Sequence, residues 1–429
     1  MTSLYLLFGI AGGVLLQLAI YLCIVFWRHW QAYQALRNAA AECDIAVHPE
    51  ASPELTQVAT AAWVGYRSFH VERKVPEDAA AQVCSFYLVP EDGKPLATFL
   101  PGQFLTFQLD MPSPTGGTLA LIRCYSLSDA PQASRYRISV KRAIAPVGSQ
   151  FSPGLSSNYL HDHVEVGSQL QVRAPAGHFH IDRSDAPVVL IAGGIGITPM
   201  LSMLNWCLTE QPGRELWLFY GVRNRAELVM QTQLQALAAQ HVNFHLHLCL
   251  SNPRVGELDA HRPASVHIHH SRVDVVLLRR LLPLKPYHFY ICGPTPMLQS
   301  LVPALEDWGV PEGRIHFEAF GPASIPRSNP ASTALATSHG GDKNNTVMVR
   351  FARSGKQSAW APGKGSLLAF AESLGIAVNS GCRAGCCGTC QTSIRAGEVV
   401  YTQAPDFDPE PGTCLLCVCT PKTAVTLEA

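Results

Sequence analysis

The stretch that decides the fold is 382–390, which reads CRAGCCGTC. Thiols at Cys382, Cys387 and Cys390 stand at the spacing C-x4-C-x2-C, and another follows at Cys417. Glycines separate them, as expected where a backbone turns sharply and brings N–H groups close to sulfur. A metal centre with four thiolate ligands, three of them from one loop, is therefore predicted.

The whole tail, 346–429, resembles the plant-type 2Fe-2S ferredoxins. TVMVRFARSGKQSAWAP predicts a hairpin, GSLLAFAESLGI a helix, TSIRAGEVVY a strand after the cysteine loop, and AVTLEA a last strand. This order is that of the α+β fold called the β-grasp. The resemblance, with the context LLCVCTP around Cys417, implies one 2Fe-2S cluster held by Cys382, Cys387, Cys390 and Cys417.

Other thiols compete for these positions. Cys386 would give C-x3-C-x3-C, and Cys414 and Cys419 flank Cys417. Clustered thiols also bind zinc. Zinc motifs usually bring two C-x2-C pairs, whereas only Cys387 and Cys390 form such a pair in this loop, so the cluster is the favoured interpretation.

Composition limits the remaining choices. The 429 residues predict two to four domains, and 47% hydrophobic content supplies their cores. Acidic and basic residues balance at 32 each, and no long basic run indicates nucleic-acid binding. The 14 cysteines are mostly scattered singly, which favours a reducing compartment over a disulfide framework.

The first thirty residues predict a transmembrane anchor. Residues 4–27 carry no charge, and Gln17 is their strongly polar side chain. As a helix this run would span roughly 36 Å, enough for a bilayer. A cleaved signal peptide is the alternative. Arg28 and Arg37 follow the run, so we expect a single-pass protein with its catalytic domains on the cytoplasmic side. A tether over 31–65 would come next.

Short alternating runs at 66–184 predict an antiparallel β-barrel. Within them RCYS, Arg123–Ser126, matches the R-x-Y-S signature of the ferredoxin-NAD(P) reductase superfamily. The segments from GYRSFHVERKVPE to APAGHF most resemble the reductase portion of flavohaemoglobins. Taken alone, an arginine and a tyrosine alternating on a strand also suit cross-strand packing.

The resemblance implies a flavin site in this barrel. Arg123 would neutralise the flavin pyrophosphate, Tyr125 would lie against the isoalloxazine, and Ser126 would hydrogen-bond near N5. Further contacts are expected from Cys124, Val140, Lys141, Gly154, Ser156 and Ser157. The order of flavin, nucleotide and ferredoxin regions also occurs in phthalate dioxygenase reductase, which allows FMN, but the flavohaemoglobin-like segments favour FAD.

Residues 185–321 change to apolar strand, glycine turn and helix, which predicts a doubly wound α/β domain. Gly193, Gly194 and Gly196 would admit a nucleotide diphosphate, and Thr198 begins the next helix. Arg223 and Arg225 either meet the adenosine ribose or its 2'-phosphate, or form a solvated turn. NADH and NADPH stay open, although we see no close acidic residue after that strand, which permits NADPH.

CGP, at residues 292–294, is the next motif of this region for which a role in cofactor binding is expected. The resemblance places Cys292, Gly293 and Pro294 beside the nicotinamide, and Glu318 and Phe320 at the flavin face, with Phe320 covering the ring. Core packing is the alternative for Cys292 and Phe320. In HFHLHLCL, His245 and His247 share a strand face; we expect a surface face rather than a metal pair.

The expected order is anchor, flavin domain, nucleotide domain, a linker at 322–345, and ferredoxin domain. A nicotinamide delivers two electrons as hydride, whereas a 2Fe-2S cluster accepts one, so a flavin between them is a chemical necessity. We expect transfer from NAD(P)H through FAD and the cluster to an oxygenase, hydroxylase or desaturase at the membrane. The alternatives are delivery to quinone or another respiratory component, and a membrane-tethered zinc-binding scaffold.

Overall fold

The structure is a computed structural model. It describes residues 62–429 except 64, 79, 113–116, 146–152, 255–264, 321–345, 379, 382, 384, 386, 403, 404 and 406. The predicted anchor at 1–30, nearly all of the tether, the linker and the Cys382 ligand lie outside the described residues. Within the described ranges, no helix combines the length and the apolar character needed to cross a membrane. The predicted domain boundaries stay predictions.

Six antiparallel strands form the first region, as the alternating runs predict. They are β1 Arg67–Pro76, β2 Val83–Pro90, β3 Phe104–Pro112, β4 Thr118–Ser126, β5 Tyr136–Lys141 and β6 Gln169–Val172. Their order is β4-β3-β6-β1-β2-β5. A bridge between Leu127 and Ile138 links the end of β4 to β5, so the sheet curls towards closure. Helix α1, Leu155–His163, follows β5.

The second region is a parallel sheet between two helical layers. Its strands are β7 Val188–Gly193, β8 Leu216–Val222, β9 Phe244–Leu250, β10 Val266–His269, β11 His288–Gly293 and β12 Ile315–Ala319, in the order β10-β9-β8-β7-β11-β12. The helices are α2 Ile197–Glu210, α3 Gln231–Gln240, α4 Val275–Leu281 and α5 Thr295–Asp307. All six residues of β7 are buried, as a central strand covered on both faces requires.

The cluster region has the predicted hairpin, β13 Val347–Phe351 and β14 Lys356–Trp360, and the predicted helix α6, Leu367–Ser373. Its other strands are β15 Gln391–Ala396, β16 Val399–Tyr401, β17 Thr413–Leu415, β18 Cys419–Pro421 and β19 Val425–Leu427. The main sheet has the order β14-β13-β19-β15-β17. The single strand predicted at TSIRAGEVVY is therefore wrong.

Gly397 explains the division of that strand. Its φ of +87° is in the left-handed region, and a Cβ there would lie 2.0 Å from the Ala424 carbonyl oxygen. The chain consequently turns at Gly397, and β16 leaves the main sheet to pair with β18.

The barrel and the parallel sheet meet directly behind the RCYS strand. The Ser202 hydroxyl of α2 donates a 2.7 Å hydrogen bond to the Asp129 carbonyl oxygen, and the Asn205 amide donates one of 2.7 Å to the Asp129 carboxylate. Ser202 is fully buried. Because α2 follows the glycine turn, these bonds fix that turn relative to β4.

A histidine-rich face covers one side of β9 and β10. The His245 ring stacks on Trp217 with centroids 4.2 Å apart, and His247 lies 4.8 Å from His267. Nδ1 of His247 is 2.9 Å from Nε2 of His269. The expected surface face is wrong for His247, which is 3% exposed because it packs between aromatic rings. Among the described residues, no group of three or more such side chains could hold a metal.

Acid should weaken the fold through His247. Burial, followed by the charges of His267, His269 and His245, lowers the pKa of His247 from 6.5 to about 3. The folded state keeps this ring neutral while the unfolded chain takes up a proton, so stability present above pH ~6.5 is lost as the pH falls towards ~3. Between pH 7.5 and 5.5 this one group should cost about 1.4 kcal/mol.

His247→Phe should remove that component, since phenylalanine keeps the stack and does not titrate. We expect denaturant unfolding of the full chain at the two pH values to show a difference smaller by about 1.4 kcal/mol. The exposed His163, changed to Gln, is the control. An unchanged pH difference in His247→Phe would contradict this assignment.

Candidate functional site

Strand β4 carries the RCYS residues along the barrel. The Tyr125 hydroxyl and the Ser156 hydroxyl at the start of α1 are 2.7 Å apart. Burial raises the pKa of Tyr125 to about 12, against the lowering effect of this hydrogen bond. Tyr125 is therefore a neutral phenol tied to α1, with its ring 5.7 Å from Phe107 in an edge-on contact.

The other residues predicted for the flavin border the same strand and helix. Ser126 is 5% exposed and pairs with Phe104 across to β3. The Cys124 thiol lies 3.4 Å from the Thr106 hydroxyl. Val140 is buried at the end of β5 and its carbonyl is 2.8 Å from Nε2 of His161.

Gly154 precedes α1, and the turn before that helix is tight. A Cβ at Gly154 would lie 2.7 Å from the Cβ of Ala143, which is too close, so only glycine fits at this position without a shift. The Ser157 hydroxyl accepts a 3.1 Å hydrogen bond from the Ala143 N–H. Ser156 and Ser157 are both buried. The structure therefore brings β4, β5 and the start of α1 together, as the resemblance implies.

The two glycine elements of the parallel sheet interlock. A Cβ at Gly196 would lie 2.1 Å from the Cys292 carbonyl oxygen, and one at Gly293 would lie 3.0 Å from the Gly193 Cα. Gly194 has a φ of +55° and open space before it. Thr198 is buried in the first turn of α2, where its hydroxyl donates to the Ile195 carbonyl at 3.1 Å.

The opening of α2 therefore points at free space beside Gly194. Gly196 is the N-cap residue, and the first turn of the helix contains no acidic side chain. Unsatisfied N–H groups and the helix dipole make such a terminus favourable for a diphosphate. Pro294 occupies the corresponding N-cap position of α5.

Cys292 and Glu318 are cross-strand partners at the ends of β11 and β12. Burial, and then the Glu318 charge, raise the pKa of the Cys292 thiol well above its usual range. Cys292 thus stays a neutral thiol rather than a nucleophile. Phe320 follows β12 and is 45% exposed, which leaves its ring available to cover a planar partner.

A cavity of about 620 Å³ lies between the barrel and the parallel sheet. Lys141 of β5 and Arg223 after β8, which the sequence assigns to different cofactors, both line it, as does Gly194. Four basic side chains contribute to its wall: Lys141, Arg142, Arg223 and Arg254. Arg225 is outside this lining and belongs to a smaller neighbouring pocket.

Glu227 corrects one expectation about this cavity. It lines the same wall, and the Arg223 Nε donates a 2.6 Å hydrogen bond to its carboxylate. Burial would raise the pKa of Glu227, but the bond from Arg223 lowers it. An acidic group does therefore follow the strand closely. The short 3-10 turn Arg225–Glu227 brings Glu227 back to Arg223, and the sequence pattern does not indicate this turn.

The cysteines that the structure describes in and after the cysteine loop are buried. Cys387 and Cys390 are each 3% exposed and Cys417 is 8% exposed. The competing thiols Cys414 and Cys419 are fully buried, and their mutual hydrogen bond, followed by burial, raises the pKa of Cys419. Cys414 and Cys419 therefore satisfy each other, whereas the assignment of the fourth ligand to Cys417 stays a prediction.

An iron-sulfur cluster fits this loop on chemical grounds. The Thr389 hydroxyl is buried and, among the described residues, finds no hydrogen-bond partner. A Cβ at Gly381 would lie 3.1 Å from that hydroxyl oxygen and 2.8 Å from the Cys387 Sγ, so all three are adjacent. A donor without an acceptor beside a thiol suits a site whose inorganic sulfide can accept. The cavity, lined by four basic side chains and by the acidic Asp78 and Glu227, fits a flavin or nicotinamide diphosphate.

Comparisons with known proteins agree with this geometry. Residues 190–302 match the oxidoreductase NAD-binding domain family, and 351–422 match the 2Fe-2S iron-sulfur cluster binding domain family. A flavohemoprotein of Halalkalibacterium halodurans is 37% identical over 298 residues, which are 69% of this chain and 68% of that protein.

Solved structures also resemble the chain, and two of them cover different parts of it. The flavohem-like FAD/NAD binding domain of nitric oxide dioxygenase from Vibrio cholerae O1 biovar El Tor has a TM-score of 0.51 and 33% identity, covering 60% of this chain and 100% of that domain. An intact type IV self-sufficient cytochrome P450 monooxygenase has a TM-score of 0.54 and 22% identity, covering 90% of this chain and 45% of the other. The second likeness shows a shared fold alone.

Proposed function

Because this chain belongs to the ferredoxin-NAD(P) reductase family and ends in a 2Fe-2S domain, we propose that it carries electrons from NAD(P)H to a partner oxygenase, hydroxylase or desaturase. That it is an NAD(P)H-dependent flavin and 2Fe-2S reductase follows from the family itself. The partner class, the use of FAD and the membrane tether are the parts we add.

One observation carries the proposal. The cysteine loop packs on the very strand that bears RCYS: the Arg123 Nη1 donates a 3.3 Å hydrogen bond to the Gly381 carbonyl oxygen. A Cβ at Gly381 would lie 3.2 Å from Ile122 Cγ2, so loop and strand are in contact. The flavin strand, where electrons arrive, and the cysteine loop, where they leave, are thus neighbours in the fold.

The bound groups supply hydride from the nicotinamide, one- or two-electron exchange at the flavin, and one-electron exchange at the cluster. The chain's own residues position them. Gly193, Gly194 and Gly196 leave room for a diphosphate, and the start of α2 offers N–H groups to it. Tyr125, tied to Ser156, presents a neutral ring, and the 45% exposed Phe320 would cover the flavin ring when no nicotinamide is bound.

We expect FAD rather than FMN. The relatives that support this are the flavohemoprotein at 37% identity and the solved FAD/NAD binding domain at 33% identity. The four basic residues of the 620 Å³ cavity also suit a molecule with a second phosphate and an adenosine. Acid extraction and chromatography of the flavin would decide between the two.

The proposed acceptor is an oxygenase-type protein. The P450 structure that shares this fold is an intact self-sufficient monooxygenase, and the likeness covers 45% of its chain. Here the proposed anchor at 1–30 would instead hold the reductase at a bilayer, with the catalytic domains on the cytoplasmic side and an acceptor in or at that membrane. Delivery to quinone is the second candidate.

The test uses the full-length purified protein. We expect flavin absorption at ~450 nm with additional iron-sulfur bands, and both should bleach when NADH or NADPH is added without oxygen. Reduction of a membrane oxygenase should exceed reduction of a quinone analogue. A colourless, zinc-loaded protein would contradict the proposal, and faster quinone reduction would favour the second candidate.

A further inference from the structure

Two arginines of the barrel reach across to the cysteine loop. Besides the Arg123 contact, the Arg173 Nη1 donates a 3.2 Å hydrogen bond to the Cys387 carbonyl oxygen. Arg173 stands 214 positions from Cys387 in the chain, and no motif in the sequence connects them. The bond goes to the main chain of a predicted cluster ligand.

The position of Arg173 is fixed on three sides. It follows β6, where its N–H donates a 2.8 Å hydrogen bond to the Thr106 carbonyl oxygen. Its guanidinium lies 4.9 Å from the centre of the Tyr66 ring. A tyrosine side chain is uncharged near neutral pH, so the cation rests on a neutral ring.

The charge of Arg173 is therefore presented to the loop. The Cys387 carbonyl oxygen and the Tyr66 ring, which the guanidinium contacts, are neutral groups and do not cancel its charge. Its Nε is buried and, among the described residues, makes no hydrogen bond. A guanidinium held this way keeps N–H donors and a full positive charge directed at the site of Cys387.

We propose that Arg173 is a positioning residue that docks the cysteine loop onto the flavin barrel and that its charge favours the reduced form of the cluster. The inference rests on the proposed function, since it presumes the 2Fe-2S cluster at Cys387. Each transfer moves one electron from the flavin to the cluster; no bond breaks at the cluster, and over two transfers the reduced flavin also releases its N5 proton to solvent. The cluster gains one negative charge in that step, and a cation beside it stabilises the product.

The Arg173 side chain then accounts both for the docking of the loop and for the shift in the cluster's reduction potential. The hydrogen bond to the Cys387 carbonyl holds the loop at the barrel, and the same side chain shifts the cluster's reduction equilibrium. Removing the charge should shift this equilibrium towards the oxidised form by on the order of tenfold, which is about 59 mV for a one-electron couple.

The experiment compares Arg173→Gln and Arg173→Lys in the full-length protein carrying flavin and cluster. Arg73→Gln is a matched control, because Arg73 also lies over a tyrosine of the same barrel, 3.7 Å from the Tyr87 ring, and is exposed. A redox titration followed by the paramagnetic resonance of the reduced cluster gives the midpoint potential. Hydrogen exchange over residues 380–391 reports the docking.

In Arg173→Gln we expect a lower potential and faster exchange in the loop. Arg173→Lys should retain most of the potential, because it keeps the charge, while its loop exchanges faster. Arg73→Gln should match the parent in both. An unchanged potential in an Arg173→Gln protein that still holds its cluster would overturn the inference and leave the proposed function standing. A parent protein without any cluster signal would overturn both.

Discussion

Replacing Cys387 by serine should abolish electron delivery to the protein acceptor, with a loss of at least about 100-fold, because a cluster with one thiolate removed is lost or cannot cycle normally. Reduction of a two-electron dye by NAD(P)H should persist within about threefold, since the hydride step uses the glycine turn and the flavin barrel rather than this thiol. Stopped-flow absorbance with both acceptors measures the two rates in one preparation.

Cys419→Ser provides the matched control. Cys419 is fully buried in the same region and pairs with Cys414, so its removal should weaken packing without removing the cluster. If Cys387→Ser still supplied the protein acceptor at the parent rate, the loop would not be the exit for electrons. Loss of the cluster in Cys419→Ser would instead move the fourth ligand away from Cys417.

Gly196→Ala should remove NAD(P)H oxidation almost completely. The added Cβ would lie 2.1 Å from the Cys292 carbonyl oxygen and 2.5 Å from its carbonyl carbon, and neither main-chain atom can rotate away. The turn after β7 and the end of β11 must therefore separate, which displaces the start of α2 from its diphosphate. We expect kcat/KM for NAD(P)H to fall at least about 100-fold, equivalent to ~2.7 kcal/mol.

Gly213→Ala is the control for this change, because a Cβ at Gly213 meets nothing within 4 Å in the same parallel-sheet region. It should oxidise NAD(P)H at the parent rate. Flavin content and the melting temperature of both variants separate a local effect from unfolding. A Gly196→Ala protein that retains the parent kcat/KM would show that the two loops are not held in this contact.

The sequence predicts best where chemistry is local. RCYS, the glycine turn, CGP and the cysteine loop each occupy a few consecutive residues, and the structure places the first three at the ends of the expected strands. Glu227 was missed because a 3-10 turn brings it back to Arg223. Arg173 was missed for a different reason: its role depends on how two regions pack, and neither periodicity nor spacing encodes that.

Burial was also misjudged where one face of a strand meets another element. The alternation in HFHLHLCL is real, but whether that face meets water depends on the rings of the neighbouring strands, Phe219 of β8 and His267 and His269 of β10. The same limit applies at Gly397, where the break in the strand follows from the nearby Ala424 carbonyl. Contacts between residues distant in the chain decided both cases.

The position of β19 has a consequence for how the cluster region is assembled. It follows every other described strand in sequence, yet it lies at the centre of the five-stranded sheet, parallel to β13 and antiparallel to β15. A growing chain whose residues 425–427 are still inside the ribosome already has all its cysteines. It lacks β19, however, the strand that joins β13 and β14 to β15 and β17. The cluster should therefore assemble only after these residues have left the ribosome. Deletion of residues 425–427 should yield a protein that binds flavin but never acquires its iron and sulfide.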